Sequence, residues 1–161
     1  MIICWKMVNN GGMVLNVNEY FKKVYNVAFR LTGNELRSVD MAYMAIISAF
    51  SDMNLTDKVS LNMFKKTAKE VCRLFLLEKS DNIQIFKQFE QDSQYELFQN
   101  ALLTLNPLRR TAVVWSDILG YKIGDMAEMS FSKQELYFEL NNARRQIKEL
   151  LKDISLNEAG A

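Results

Sequence analysis

Basic side chains at helical spacing are the main chemical signal in this chain. Lys65, Lys66, Lys69 and Arg73 lie close to one outer face of a helix, because positions i, i+4 and i+8 line up. A second set, Lys133, Gln134, Tyr137, Asn141, Arg144 and Arg145, takes the outward positions of a helix near the C-terminus. Nucleic-acid binding needs such sets: lysine and arginine neutralise phosphates, and a few polar side chains read base edges. A lysine stripe is, however, more often the solvated face of an ordinary helix. Net charge, +1 from 20 basic and 19 acidic residues, does not decide between the two, so the case rests on local patches.

Other chemistry is poorly provided for. The chain has no histidine, which removes the commonest general base and metal ligand and every Ser-His or Cys-His nucleophile pair. Cys4 and Cys72 are far apart and match no zinc or redox spacing. Two thiols in such a chain suit a reducing cytoplasm. No glycine-rich phosphate loop is present, and carboxylate pairs such as Asp125 with Glu128 read as solubilising helix surface. Enzymatic activity is the class most nearly excluded, and neither a metal nor a cofactor is expected. No segment is long and apolar enough to span a bilayer.

The elements that must position the basic sets are helices. One proline and six glycines in 161 residues leave little punctuation for a many-stranded β fold. Asn18 is placed to cap a helix over 19–31 that stops at Gly33, and a second helix runs from about 36 to 50. That second helix is apolar on most sides. Most of Val39, Ile46, Ile47 and Phe50 are expected in the core, while Tyr43 and Met44 exceed one buried stripe. Residues 51–60 read as a loop and 61–78 as a third helix with Phe64, Ala68, Val71, Phe75 and Leu76 inside. In the last third, Asn106-Pro107 caps and opens a helix that Gly120 ends, and a short helix follows over 123–129 with Ile123, Met126 and Ala127 inward. Ser132 and Glu135 form a capping box for a long helix whose buried stripe is Leu136, Leu140, Ala143, Ile147, Leu150 and Leu151. Two helices joined by a short turn, the second longer, outline a helix-turn-helix. The expected fold is all-α: a leader 1–13, a helical domain 14–80, a short linker 81–94, a helical domain 95–154 and a frayed tail 155–161.

This order of elements resembles the extracytoplasmic-function group of bacterial RNA polymerase sigma factors, over about residues 18–152. Tyr25 through Asn34, ending Arg-Leu-Thr-Gly-Asn, looks like the family's opening helix, and Val39-Asp40-Met41 through Phe50 is similar to the segment that follows it. Leu102-x-x-Leu105-Asn106-Pro107 looks like the family's Leu-Pro-Pro opening of its fourth region. Ile118-x-Gly120-Tyr121-Lys122-Ile123-x-x-Met126-Ala127-Glu128 and Ala143-Arg144-Arg145-x-Ile147 match its later motifs. The departures are specific. Tyr43, Met44 and Ser48 stand where the family has Gln, Glu and Arg, Ser130 stands at its customary turn glycine, and Glu135-Leu136-Tyr137-Phe138-Glu139 replaces a basic start to the recognition helix.

The resemblance implies a second-region-like helical bundle and a fourth-region-like helix-turn-helix, with core RNA polymerase and promoter DNA as partners. Asp40, Tyr43, Met44 and Ile47 would meet the β′ clamp coiled coil. Lys65, Lys66, Lys69 and Arg73 would lie along the upstream part of the −10 element, and Asn54, Thr56 and Lys58 in the loop that captures a flipped base, although such residues also make ordinary loops. The long C-terminal helix would lie near the −35 element, with Glu139 facing and repelling a phosphate-rich groove. Arg109 and Arg110 would meet backbone phosphate or the β flap, or simply solvate a helix N-terminus. An anti-sigma protein is a further partner that the family admits. A competing expectation is a sigma-derived protein that binds polymerase or another regulator without selecting promoters, and a weaker one is a factor using the helix-turn-helix alone.

Overall fold

The computed structural model describes residues 14–51, 58–78 and 94–159. The fold is all-α apart from one two-stranded ribbon. The leader, Asn54, Thr56, the 81–93 part of the expected linker, and Cys4 lie outside the described residues. The chain divides into two compact units, one ending at Glu78 and the other beginning at Lys79.

The first unit is built on α1 (Val17–Thr32), α2 (Glu35–Phe50) and α3 (Leu61–Leu77), each packed on the other two. Asn16, rather than Asn18, caps α1 by accepting the Glu19 N–H at 2.9 Å. Gly33 ends the helix with φ of +63°, a left-handed conformation that is cheap only for glycine. Asn34 then caps α2 through the Arg37 N–H, and Ser60 caps α3 through the Met63 N–H. Three side-chain caps therefore fix the three entries.

The expected loop is partly a strand. β1 (Val14–Asn16) pairs antiparallel with β2 (Lys58–Ser60) in the register Val14 with Ser60, Leu15 with Val59 and Asn16 with Lys58. Leu15 and Val59 are buried, so the ribbon ties the start of α1 to the start of α3. Three-residue strands are too short to show an alternating pattern.

The register of α2 departs from expectation. Its buried residues are Ser38, Met41, Ala42 and Ala45, whereas Val39 and Ile47 are exposed and Ile46 and Phe50 half-buried. Three of these four buried residues are small, as suits a helix packed against both α1 and α3. Buried Ser38 is satisfied: its hydroxyl donates to the Asn34 carbonyl at 2.5 Å and meets the Thr32 hydroxyl at 2.7 Å. In α3 the inside also includes Met63, Thr67 and Cys72, while Leu76 is half-buried. Thr67 shares a 2.6 Å hydrogen bond with the Tyr20 hydroxyl, joining α1 to α3. Burial pushes the Tyr20 hydroxyl above its ordinary pKa and the Cys72 thiol up to about 12.

The second unit comprises α4 (Gln94–Thr104), α5 (Pro107–Val113), a π-helical segment Val114–Ile118, a 3-10 helix Ile123–Met129 and α6 (Lys133–Ala159). Asn106 caps α5 through the Arg109 N–H at 2.8 Å, with Pro107 in the first turn. Gly120 is left-handed at φ +74°, closing the helix as expected. Ser130 is also left-handed, at φ +72°, in the turn before α6. Ser132 caps α6 by accepting the Glu135 N–H at 3.1 Å. Leu136, Leu140, Ala143 and Ile147 are buried, with Leu150 and Leu151 only partly so. The helix runs on to Ala159 instead of fraying at 155, because no proline or glycine interrupts it before Gly160.

Trp115 is the largest fully buried side chain among the described residues. Its indole N–H donates to the Lys122 carbonyl at 3.0 Å, and its ring packs on Tyr121 with centroids 4.8 Å apart. Burial pushes the Tyr121 hydroxyl up to about 12. The π segment and the turn after it are thus pinned from inside the core.

Candidate functional site

Two surfaces in the first unit carry the sequence-derived candidates. On α2, the small-residue side faces inward, which drives the large apolar side chains out. Leu36, Val39, Tyr43, Met44 and Ile47 are between 51% and 79% exposed. Their spacing places them along one outer side of the helix, with exposed Asp40 among them. Three of the four residues expected to meet a protein partner, Tyr43, Met44 and Ile47, are in this stripe, and Asp40 is the fourth. Leu36 and Val39 were not singled out as contacts. A scattered exposed leucine is ordinary, but five large apolar side chains in one row make a patch of the kind found at interaction sites.

On α3, Lys66 and Arg73 are exposed, whereas Lys65 and Lys69 are half-buried at the edge of the same face. Arg73 grips Glu70 with both Nε (2.7 Å) and Nη2 (2.6 Å). That guanidinium holds the Glu70 carboxyl below the usual carboxylate range, and the carboxylate in turn raises the arginine. The basic stripe is therefore real in position but partly neutralised in charge. Lys58 belongs to β2.

In the second unit, α6 presents Lys133, Gln134, Tyr137, Asn141, Arg144 and Arg145 outward, all exposed. Phe138, which carried no assigned role, is exposed beside them. The Lys133 stem passes over Gly124, 3.6 Å from where a Cβ there would sit. Arg145 donates to Asn142 at 2.7 Å. Arg144 reaches back to Asp117 in the π segment, with Nε to Oδ2 at 3.0 Å and Nη2 to Oδ1 at 2.5 Å. This pairing raises the Arg144 pKa further and keeps the guanidinium charged.

Three expectations for this unit are corrected. Glu139 does not face outward. It lies three residues after Leu136 and four before Ala143, on the flank of the buried stripe, where it accepts from Arg109 Nε at 2.6 Å. Arg109 also donates to Gln146 at 3.3 Å, so it ties α5 to α6 instead of presenting itself to a phosphate or to a partner. Arg110 is buried at 4% exposure. Its guanidinium donates to the carbonyls of Leu102 (3.0 Å), Leu103 (2.8 Å) and Leu105 (2.9 Å), satisfying the last turn of α4 and the residue that follows. The third concerns Ala127, half-buried while Ile123 and Met126 are fully inside.

The second unit thus runs as α5 with its π extension, a 3-10 helix, a left-handed turn residue, then a long helix whose outer face is polar apart from exposed Tyr137 and Phe138. Among the described residues no group of three or more His, Cys, Asp or Glu side chains could hold a metal ion, and no helix is long and apolar enough to cross a membrane. No family model and no curated protein matches the chain.

Proposed function

We propose that the protein is an RNA polymerase sigma factor of the extracytoplasmic-function type. It binds core RNA polymerase through α2 and directs promoter recognition through α3 and α6, acting in the cytoplasm without a catalytic step or cofactor of its own. The observation that carries this reading is the exposed apolar row of α2, with Asp40 set among Leu36, Val39, Tyr43, Met44 and Ile47. That row occupies the segment whose sequence is similar to the family's β′-clamp contact. It replaces polar side chains by apolar ones, which adapt readily to a partner's surface. Support for DNA contact is the outward set on α6 and the basic edge of α3.

A second reading is favoured by the ion pairs. Arg73, Arg109 and Arg144 are each engaged by a carboxylate, which lowers the charge available to phosphates. A sigma-derived protein that binds polymerase or a regulator without selecting promoters would tolerate that. Run-off transcription separates the two, using bacterial core polymerase and fragmented genomic DNA of the source organism, with and without the protein. Discrete new transcripts are expected. Co-elution with core enzyme but no transcripts would replace the first reading with the second, and the absence of any polymerase binding would remove both.

A further inference from the structure

We propose that Asp117 is a positioning residue, holding the side edge of the Arg144 guanidinium so that its terminal edge stands as an oriented fork for a nucleic-acid phosphate on the outer face of α6. This rests on the reading that α6 contacts DNA. The two residues are 27 apart in sequence and come from different elements, so the pair is made by the tertiary fold and not by helical neighbourhood. A guanidinium has five N–H donors in one plane. Asp117 takes one from Nε and one from Nη2. Both protons of Nη1 and the second of Nη2 remain, and one from each Nη lies along the end of the fork, the edge that matches two oxygens of a phosphate. The Arg144 side chain is 50% exposed and that of Asp117 32%, so the remaining edge meets solvent at little cost.

The π-helical segment is where Asp117 sits, within a turn that accommodates one residue more than an α turn and so re-registers the side chains it carries. Trp115, buried and bonded to the Lys122 carbonyl, anchors that segment two residues earlier. The carboxylate is therefore mounted on a rigid support. Because the pair is neutral, it adds nothing to long-range attraction for DNA; its contribution is geometric, one phosphate contact that fixes where α6 sits. Arg145 differs, donating only to the neutral Asn142 and keeping its full charge.

The test uses the full chain and a fluorescein-labelled 30-base-pair duplex of random sequence, with affinity read by anisotropy between 50 and 200 mM KCl. Asp117→Asn frees one positive charge but removes the carboxylate that orients Arg144, so the log–log salt slope is expected to steepen by about 0.9 while the affinity extrapolated to 1 M salt, where the counterion contribution vanishes, falls by about threefold or more. The double variant Asp117→Asn with Arg144→Gln has the net charge of the parent. If the pair acted by charge alone, its affinity would equal the parent's; the oriented fork requires it to bind at least threefold more weakly. Equality, or an Asp117→Asn affinity at the 1 M salt intercept that matches the parent's, would overturn the inference while leaving DNA binding intact. A parent protein with no salt-dependent affinity for the duplex would remove the DNA reading and the inference with it. The Arg144 Nε–H resonance adds an independent measure. Its persistence in the DNA complex is expected, whereas its loss would mean that phosphate displaces Asp117 and would overturn the positioning role.

Discussion

Replacing Arg110 should unfold the second unit before it affects any ligand. The guanidinium donates three hydrogen bonds to the carbonyls of Leu102, Leu103 and Leu105, and both Leu102 and Leu105 are buried. Arg110→Lys keeps the charge but cannot reach three acceptors at once. Losing one charge-assisted bond costs about 2–3 kcal/mol. In a unit of this size each kcal/mol moves Tm by about 4–8 °C, so a fall of about 10–20 °C is expected. Arg110→Met leaves all three carbonyls without this donor, at a cost of about 3–5 kcal/mol, comparable with the whole stability of a small domain. The assay is thermal unfolding followed by Trp115 fluorescence in a Trp5→Phe background, since Trp115 is fully buried and lies within the affected unit. A Tm within about 3 °C of the parent for both variants, together with weaker DNA binding, would refute the internal role and return Arg110 to the surface.

Other perturbations follow from the same geometry. Glu139→Arg sets two guanidiniums against each other where side chains are only 29% and 17% exposed, and should cost about 1–3 kcal/mol in the same unfolding assay; a Tm at or above the parent's would contradict it. Ser130→Gly relieves a left-handed backbone conformation costing about 1 kcal/mol, partly offset by the extra freedom glycine has when unfolded, so Tm should rise by about 3 °C. A lower Tm would mean the serine side chain makes a contact worth more than the strain. Tyr43→Glu with Ile47→Asp, both at exposed positions, should abolish co-elution with core polymerase while shifting Tm by less than about 3 °C; retained co-elution would remove α2 as the docking surface.

What could be read from the sequence divides by the range of the signal. Gly33, Gly120, Asn106-Pro107 and Ser132 were legible because each acts within one turn of its own position, and all four took the predicted conformation or bond. The side of α2 that is buried was not legible from hydrophobicity alone: Val39 and Ile47 outrank Ala42 and Ala45 in apolar bulk, yet close packing of three helices selects the small residues. The position of Glu139 was legible in principle, since its spacing from Leu136 and Ala143 places it on the flank of the buried stripe. Arg109 with Glu139 and Arg144 with Asp117 could not have been paired from sequence, because their partners stand 30 and 27 residues away. The β1–β2 ribbon escaped for the same reason combined with its length.

Those long-range pairs also bear on how the two candidate surfaces divide the work. Net charge is +1, and Arg73, Arg109, Arg110 and Arg144 are each engaged by a carboxylate or by backbone carbonyls. Non-specific DNA affinity scales with the number of phosphates neutralised, so a chain with these cations internally occupied gains little from bulk attraction. The apolar row on α2 carries no such handicap, since its five large side chains are already exposed and their burial on a partner is favourable without charge. On the proposed function, docking to polymerase is then the larger source of binding energy, and DNA contact a smaller one built from few, oriented groups. The consequence is an asymmetry in salt dependence: association with core polymerase through α2 should change little between 50 and 200 mM salt, whereas duplex binding by the free chain should fall steeply from an already low value.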